Sequence, residues 1–320
     1  MVRRTGRTLP VRGLRIGHAE SDDGTTGVTV ALFDGATPLV VDVRGGASAT
    51  FDLASLSLDA TFGRRWAVFF AGGSLFGLDA AAGVRDRILE MGSGQQVFRN
   101  PHRIAPISGA ALFDLPSTVR SLPDYRALGY AAARSATNGA VAMGRVGAGA
   151  GAGALVGKYR GRAAAMRGGV GWAERPFGRR GHVGALVAAN AVGAVRDPAS
   201  GRWIAGARTA RGRLVPPSFH RGRDSPSTGT TLSLVVTDVA LERPMLQRVA
   251  SIAHAGLGGA VVPFQSATDG DLLFVAATGA AGSPPAEHRP GATADALGEL
   301  AAACVVEAIL RAVRASNRIR

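Results

Sequence analysis

The sequence predicts an α/β protein in which β-sheets are covered by helices. Apolar, β-branched runs of strand length alternate along the chain with segments of helical period. None of these runs is long and unbroken enough to cross a membrane. The core must be built from small residues, because 45 glycines stand beside only 3 Trp, 3 Tyr and 12 Phe. At 320 residues and 46% hydrophobic content, the chain can bury a sizeable core in one large domain or two ordinary ones.

The elements follow in order. Val28 to Leu32 and Pro38 to Val43 read as two strands joined by the turn Asp34-Gly35. Trp66 to Phe70 is a buried strand running into Ala71-Gly72-Gly73-Ser74 and a helix from about Leu78 to Met91. Leu128 to Thr137 is a short alanine-rich helix. Gly144 to Gly157 is a glycine-alanine tract, either a loop with close backbone packing or a ligand cradle. A buried strand begins at Gly184 and ends at Asn190, and Asp197-Pro198 turns the chain. From about 201 to 229, six arginines mix with Pro, Ser and Gly without apolar periodicity, which reads as an exposed, mobile linker. Order returns at Thr230 to Thr237, a strand rich in β-branched residues. An amphipathic helix from about Glu242 to Leu257, a strand from Leu272 to Thr278 and a helix from about Thr293 to Ala315 complete the chain.

Composition narrows the function. Cys304 is the only cysteine, so no intrachain disulfide forms; its place in the apolar pattern of the last helix makes it a buried structural thiol. Met1 to Gly17 carries Arg3-Arg4 without an apolar core, which argues against a signal peptide and for a cytoplasmic protein. The net charge of +14 invites a nucleic-acid partner. The basic stretches lack interleaved aromatics, however, and no nucleic-acid-binding motif is present, so neither nucleic acid nor membrane is expected. His18, His182 and His254 have no metal-ligand spacing, and neither metal nor cofactor is expected. Lys158 is the only lysine among 37 basic residues. Where arginine serves everywhere else, a surviving lysine is either chance or a compact, titratable ammonium that a guanidinium cannot replace.

The candidate chemistry centres on Gly229-Thr230. A linker ending in glycine and followed at once by a strand-opening threonine is open to two readings. Thr230 merely begins a strand, or its hydroxyl attacks the preceding carbonyl and the released residue carries both a nucleophile and an adjacent amine base. Asp269-Gly270-Asp271 sits in a turn before a strand; it is either a solvated turn or a pair of carboxylates that orients a nucleophile and balances a cation. Asn190, at a strand end, is either structural or an oxyanion donor.

The chain resembles the DmpA-type aminopeptidases and nylon-oligomer hydrolases, self-cleaving N-terminal-nucleophile amidases. An ordered set of segments from about Arg12 to about Gly279 carries the resemblance. It includes Ile16-Gly17-His18, Gly27-Val28-Thr29, Arg44-Gly45-Gly46, Phe113-Asp114-Leu115, Val146-Gly147-Ala148-Gly149 and Ala253-His254-Ala255-Gly256-Leu257. The most specific are Gly72 to Asp79 with Gly83-Val84, Gly184 to Ala191, and Thr230-Thr231 leading to Val236-Thr237-Asp238.

The resemblance implies an αββα sandwich of two stacked sheets flanked by helices. It implies a long chain, 1–229, and a short chain, 230–320, that form one intertwined body. Thr230 matches the family nucleophile, Lys158 a catalytic lysine, Asn190 an active-site asparagine, and Asp269 and Asp271 the paired aspartates. The implied activity is hydrolysis of amide bonds in small peptides or ω-amino-acid oligomers, by a homo-oligomer, a tetramer of cleaved protomers. Gly229, Ala150 and Ala194 depart from the commonest pattern and bear on substrate more than on mechanism. An acyltransferase resembling ornithine acetyltransferases is the alternative, and a non-catalytic basic binding protein the second.

Overall fold

The computed structural model describes residues 8–99, 101–115, 121–150, 154–218, 228–283 and 290–319. The strands of the N-terminal half are β1 (Leu14–Glu20), β2 (Gly27–Val43), β3 (Ala49–Phe51), β4 (Arg64–Ala71), β5 (Gln95–Gln96), β6 (Arg103–Ile104) and β7 (Ile107–Ala111). Those of the C-terminal half are β8 (Leu155–Val156), β9 (Met166–Arg167), β10 (Gly169–Phe177), β11 (Gly181–Asn190), β12 (Ala194–Arg196), β13 (Trp203–Ala205), β14 (Thr230–Val239), β15 (Val261–Val262) and β16 (Leu272–Gly282). The helices are α1 (Ala80–Glu90), α2 (Tyr125–Ser135), α3 (Arg243–Ala260) and α4 (Pro290–Asn317).

Hydrogen bonding runs in the order β10-β11-β14-β16-β2-β4-β7-β3, with β1 added on β2. The long strand β2 belongs to two sheets. Its first half pairs with β1 and β4, and its second half with β16. The register with β4 shifts between Leu32 and Thr37, so Asp34-Gly35 is an irregularity within one strand rather than a turn between two.

The alternation of side chains shows how the sheets stack. In β14, Leu232, Leu234 and Val236 meet Val68, Phe70 and Leu112 of the first sheet's side in one buried cluster. Val235 and Val239 instead join Leu246, Val249, Leu297, Val305 and Ile309 from α3 and α4. In β4, Phe69 and Ala71 face Val84 and Ile88 of α1 and Ala132 of α2. These three cores define four layers: α1 and α2, a sheet, a second sheet, α3 and α4. The αββα sandwich expected from the resemblance is the observed fold. Cys304 is fully buried in α4, where burial pushes its thiol up to about 11.

Sequence reading missed β10, whose glycines and Pro176 disguise its pairing with β11. It also missed structure at the start of the segment read as a linker. Trp203–Ala205 pairs with β12, Ala205 and Ala207 are buried, and the Tyr159 hydroxyl donates to the Val215 carbonyl at 2.6 Å. Burial of alternate small residues carries no amphipathic signal that Arg and Pro neighbours would leave visible. Residues 219–227 of that segment lie outside the described residues.

Candidate active site

Every residue of β14 is buried, as expected for a strand whose two faces feed two cores. Its pairing decides which residues meet at its first residue. Strand β11 runs antiparallel to it and ends there, with Asn190 opposite Thr230. Strand β16 runs parallel and also begins there, with Leu272 opposite Leu232. One sheet end therefore collects Asn190, Thr230 and the Asp269-Gly270-Asp271 turn.

Lys158 reaches the same end from a single 3₁₀ turn, Lys158–Arg160, after Gly157 in the left-handed conformation. Adding a Cβ to Gly157 would bring it within 2.4 Å of the Gly206-Ala207 backbone, so both space and φ require glycine. The Lys158 Nζ donates to the Asn190 carbonyl at 2.7 Å and to Asn190 Oδ1 at 2.9 Å. The Leu155 N–H also donates to Oδ1, at 3.1 Å, and Asn190 Nδ2 donates to the Phe113 carbonyl at 2.9 Å. Two donors on one end and an acceptor on the other set the orientation of the amide. Both ends of Asn190 are thus engaged. In this arrangement it holds the lysine, and the oxyanion-donor role expected from sequence would require Nδ2 to leave Phe113.

Lys158 is fully buried. Burial pulls its ammonium down to about 7, against the opposing attraction of Asp269, Asp271 and Asp114, while Arg162 pushes it down further. Both aspartates of the turn are buried rather than solvated. Asp269 Oδ1 accepts from the Val192 N–H at 3.1 Å, and its Oδ2 from the Ser266 hydroxyl at 2.6 Å. Asp271 Oδ1 accepts from the Thr231 N–H at 2.6 Å, and its Oδ2 from the Gln265 N–H at 2.9 Å. Asp271 so clamps the residue after Thr230, and Asp269 the residue two after Asn190. Burial, and then the charge of Asp269, raise the Asp271 carboxyl above the usual range. The turn itself rests on the 44–47 segment: Arg44 and Gly45 N–H donate to the Asp271 carbonyl, at 3.1 and 2.9 Å, and Ala47 N–H to that of Asp269 at 2.9 Å.

The Gly229-Thr230 junction is held in the same cluster. The Gly229 N–H donates to the Thr268 carbonyl at 3.2 Å, and the Gly229 carbonyl accepts from the Gly270 N–H at 2.9 Å. The Thr230 hydroxyl donates to that same Gly229 carbonyl. A Cβ on Gly229 would lie 2.1 Å from Asp269 Oδ1 and 2.4 Å from the Val192 nitrogen, so glycine is required here by space. Thr230 is 3% exposed, and the intact junction is closed to solvent.

The structure brings all five candidate side chains, Thr230, Lys158, Asn190, Asp269 and Asp271, to one sheet end. It also adds Asp114, whose segment was legible as a motif while its role was not. In the glycine tract, Gly147 to Gly149 serve close packing: a Cβ on Gly149 would lie 2.5 Å from the Gly169 backbone. Residues 151–153 of the tract lie outside the described residues.

Known proteins match this chain along its length. The pattern of Peptidase family S58 covers residues 9–320. An uncharacterized aminopeptidase of Mycobacterium tuberculosis is 34% identical over 328 residues, spanning 95% of this chain and 92% of the relative. A 6-aminohexanoate-oligomer endohydrolase of Paenarthrobacter ureafaciens is 30% identical over 334 residues, spanning 97% and 88%. Among solved structures, a beta-aminopeptidase of Burkholderia sp. superposes with a TM-score of 0.64 at 22% identity, covering 98% of this chain and 88% of that one. The L-aminopeptidase D-Ala-esterase/amidase of Ochrobactrum anthropi, a variant of the Ntn-hydrolase fold, superposes with a TM-score of 0.65 at 20% identity, covering 97% and 88%. With a family pattern spanning nearly the whole chain and relatives at 30% and 34% identity, this protein belongs to peptidase family S58 and is a hydrolase of peptide or other amide bonds.

Proposed function

We propose that the chain cleaves itself between Gly229 and Thr230 and then hydrolyses amides with Thr230 as an N-terminal nucleophile. The observation that carries this reading is the junction: the Thr230 hydroxyl lies on the carbonyl it would attack, and the Gly270 N–H donates to that carbonyl's oxygen. A donor placed there stabilises negative charge as it develops. The hydroxyl oxygen bonds to the Gly229 carbonyl carbon, the C–N bond breaks, and the proton ends on the Thr230 nitrogen. Water then hydrolyses the ester, which leaves a Gly229 carboxylate and a free Thr230.

In turnover the Thr230 hydroxyl attacks the substrate carbonyl and its own amine takes the proton. Lys158, brought to about 7 by burial, holds or releases a proton at neutral pH. Asn190 holds Lys158 in place, and Asp269 and Asp271 balance its charge. Water releases the acyl group from the ester. Small peptides or ω-amino-acid oligomers are the substrate class, supported by the relatives' named activities. The same reading carries a homo-oligomer of cleaved protomers in the cytoplasm.

Intact mass tests the first step. Scaling 32.6 kDa by length gives expected fragments of about 23 and 9 kDa, the smaller beginning at Thr230. A stable, active, full-length protein without such a fragment would overturn the reading.

A further inference from the structure

A third buried carboxyl acts on the charge of Lys158, and nothing above assigns it a role. Asp114 follows β7 and is fully buried. Its Oδ1 accepts from the Gly73 N–H at 2.7 Å and its Oδ2 from the Thr26 hydroxyl at 2.8 Å. The Thr26 hydroxyl also meets the Tyr125 hydroxyl at 3.3 Å. There is no slack around it. A Cβ on Gly72 would lie 2.1 Å from Asp114 Oδ2, and one on Gly73 would lie 2.1 Å from the Tyr125 hydroxyl. One carboxyl so ties the Gly72-Gly73 turn, the residue before β2 and the end of β7 into a single knot.

The knot adjoins the site through one peptide. The residue before Asp114 is Phe113, whose carbonyl accepts from Asn190 Nδ2 at 2.9 Å; Asn190 Oδ1 in turn accepts from Lys158 Nζ. We propose that Asp114 is a positioning residue for the Asn190–Lys158 pair: it locks the Phe113 carbonyl that orients Asn190 and presents a buried negative charge to the Lys158 ammonium. This role rests on Lys158 serving Thr230.

The electrostatics agree with the geometry. Burial raises Asp114 to about 6, with the Gly73 and Thr26 hydrogen bonds and Arg162 opposing, so the carboxyl is ionised at neutral pH. In that form its charge, with those of Asp269 and Asp271, favours the Lys158 ammonium, while Arg162 disfavours it. On the far side of the knot, the Tyr125 hydroxyl is pushed up to about 12 by burial, then by the charges of Asp114 and Asp23, with the Thr26 hydrogen bond opposing.

Asp114→Asn keeps the size and one acceptor for the Gly73 N–H but removes the charge. The Lys158 proton is then held less tightly. The limb of the rate–pH profile that disappears in Lys158→Arg should move toward acid by roughly half a pH unit or more. Self-cleavage and kcat should fall on the order of tenfold, with KM changed by less than about twofold, as expected of a residue that acts through Asn190 and Lys158. Thr26→Val covers the case in which Asp114→Asn fails to fold. It removes one hydrogen bond that stabilises the carboxylate, so the same limb should move the same way by less. A limb that stays in place in a folded Asp114→Asn or Thr26→Val protein overturns the proposal, whatever the loss of stability. If Thr230→Ala abolishes activity in the same assays, only the role of Asp114 falls; if it does not, the nucleophile reading falls first.

Discussion

Thr230 is the residue on which both proposed steps turn. Thr230→Ala removes the hydroxyl and should give a single folded 320-residue chain without amidase activity. Thr230→Ser retains an attacking oxygen and should retain some cleavage. Intact mass and a chromogenic amide assay check both, and an uncleaved but fully active Thr230→Ala protein would rule the mechanism out. Lys158→Arg should impair self-cleavage or turnover while circular dichroism stays native, because a guanidinium is larger and does not give up its proton. The buried carboxyl at Asp114 has a stability consequence as well. Its folded pKa is raised to about 6, so the native state binds the proton more tightly than the unfolded chain. That contribution is present below about 4, where both states are protonated, and is lost as pH rises through about 6. In the uncleaved Thr230→Ala background, Asp114→Asn should therefore compare more favourably in Tm with its parent at pH 7 than at pH 4. A Tm difference independent of pH would show that the carboxyl does not titrate this way.

At the scale of elements, the site depends on two backbone-to-backbone approaches that any side chain would block. Gly45 lies against the Asp269–Asp271 turn, where an added Cβ would come within 2.2 Å of the Asp271 nitrogen and 2.4 Å of the Asp269 carbonyl oxygen. Gly45→Ala should push the turn away from the 44–47 segment that carries it. Loss of stability of about 1–3 kcal/mol is expected, with slower self-cleavage. Denaturant titration of the uncleaved form measures the first and a processing time course the second. Unchanged values for both would mean that the turn has room to shift. Gly229→Ala meets a carboxylate oxygen and a backbone nitrogen that are hydrogen-bonded to each other, so self-cleavage should slow sharply in a protein that still folds.

For the whole molecule, the proposed cut would make β14 the first strand of a short chain, lying between β11 of the long chain and β16 of the short one. The α4 helix covers β10 and β11, and the β16 strand pairs with β2. Cleavage of one peptide bond leaves these contacts in place. The two fragments should co-elute on gel filtration and separate only in denaturant. Fragments that part under native conditions would contradict the single intertwined body.

Much of this was legible from the residues. Strands with β-branched runs and helices with apolar stripes announce themselves because local periodicity records burial on one face; Thr230 to Thr237 and Glu242 to Leu257 are of this kind. The lone Lys158, the Gly229-Thr230 junction and the split aspartate pair were visible as residue types suited to chemistry, and the family-like segments ordered them. Other features had no local record. The continuity of β2 through Asp34-Gly35 depends on partners in two sheets, and β10 is a strand only because β11 lies beside it. Asn190 was expected to donate to an oxyanion, whereas Phe113 takes that donor and Lys158 takes the acceptor. Asp114 is 44 residues from Lys158 in sequence, and nothing in its neighbours tells that both are buried in one electrostatic field. By itself the sequence determined most of the long elements, the α/β class and the chemical identity of the candidate groups, because these follow from local pattern and residue type, while the αββα stacking was legible only through the family-like segments. Tertiary structure alone decided which groups share a sheet end, which hydrogen bonds each has already made, and how far burial moves each proton, because those depend on distances between residues remote along the chain.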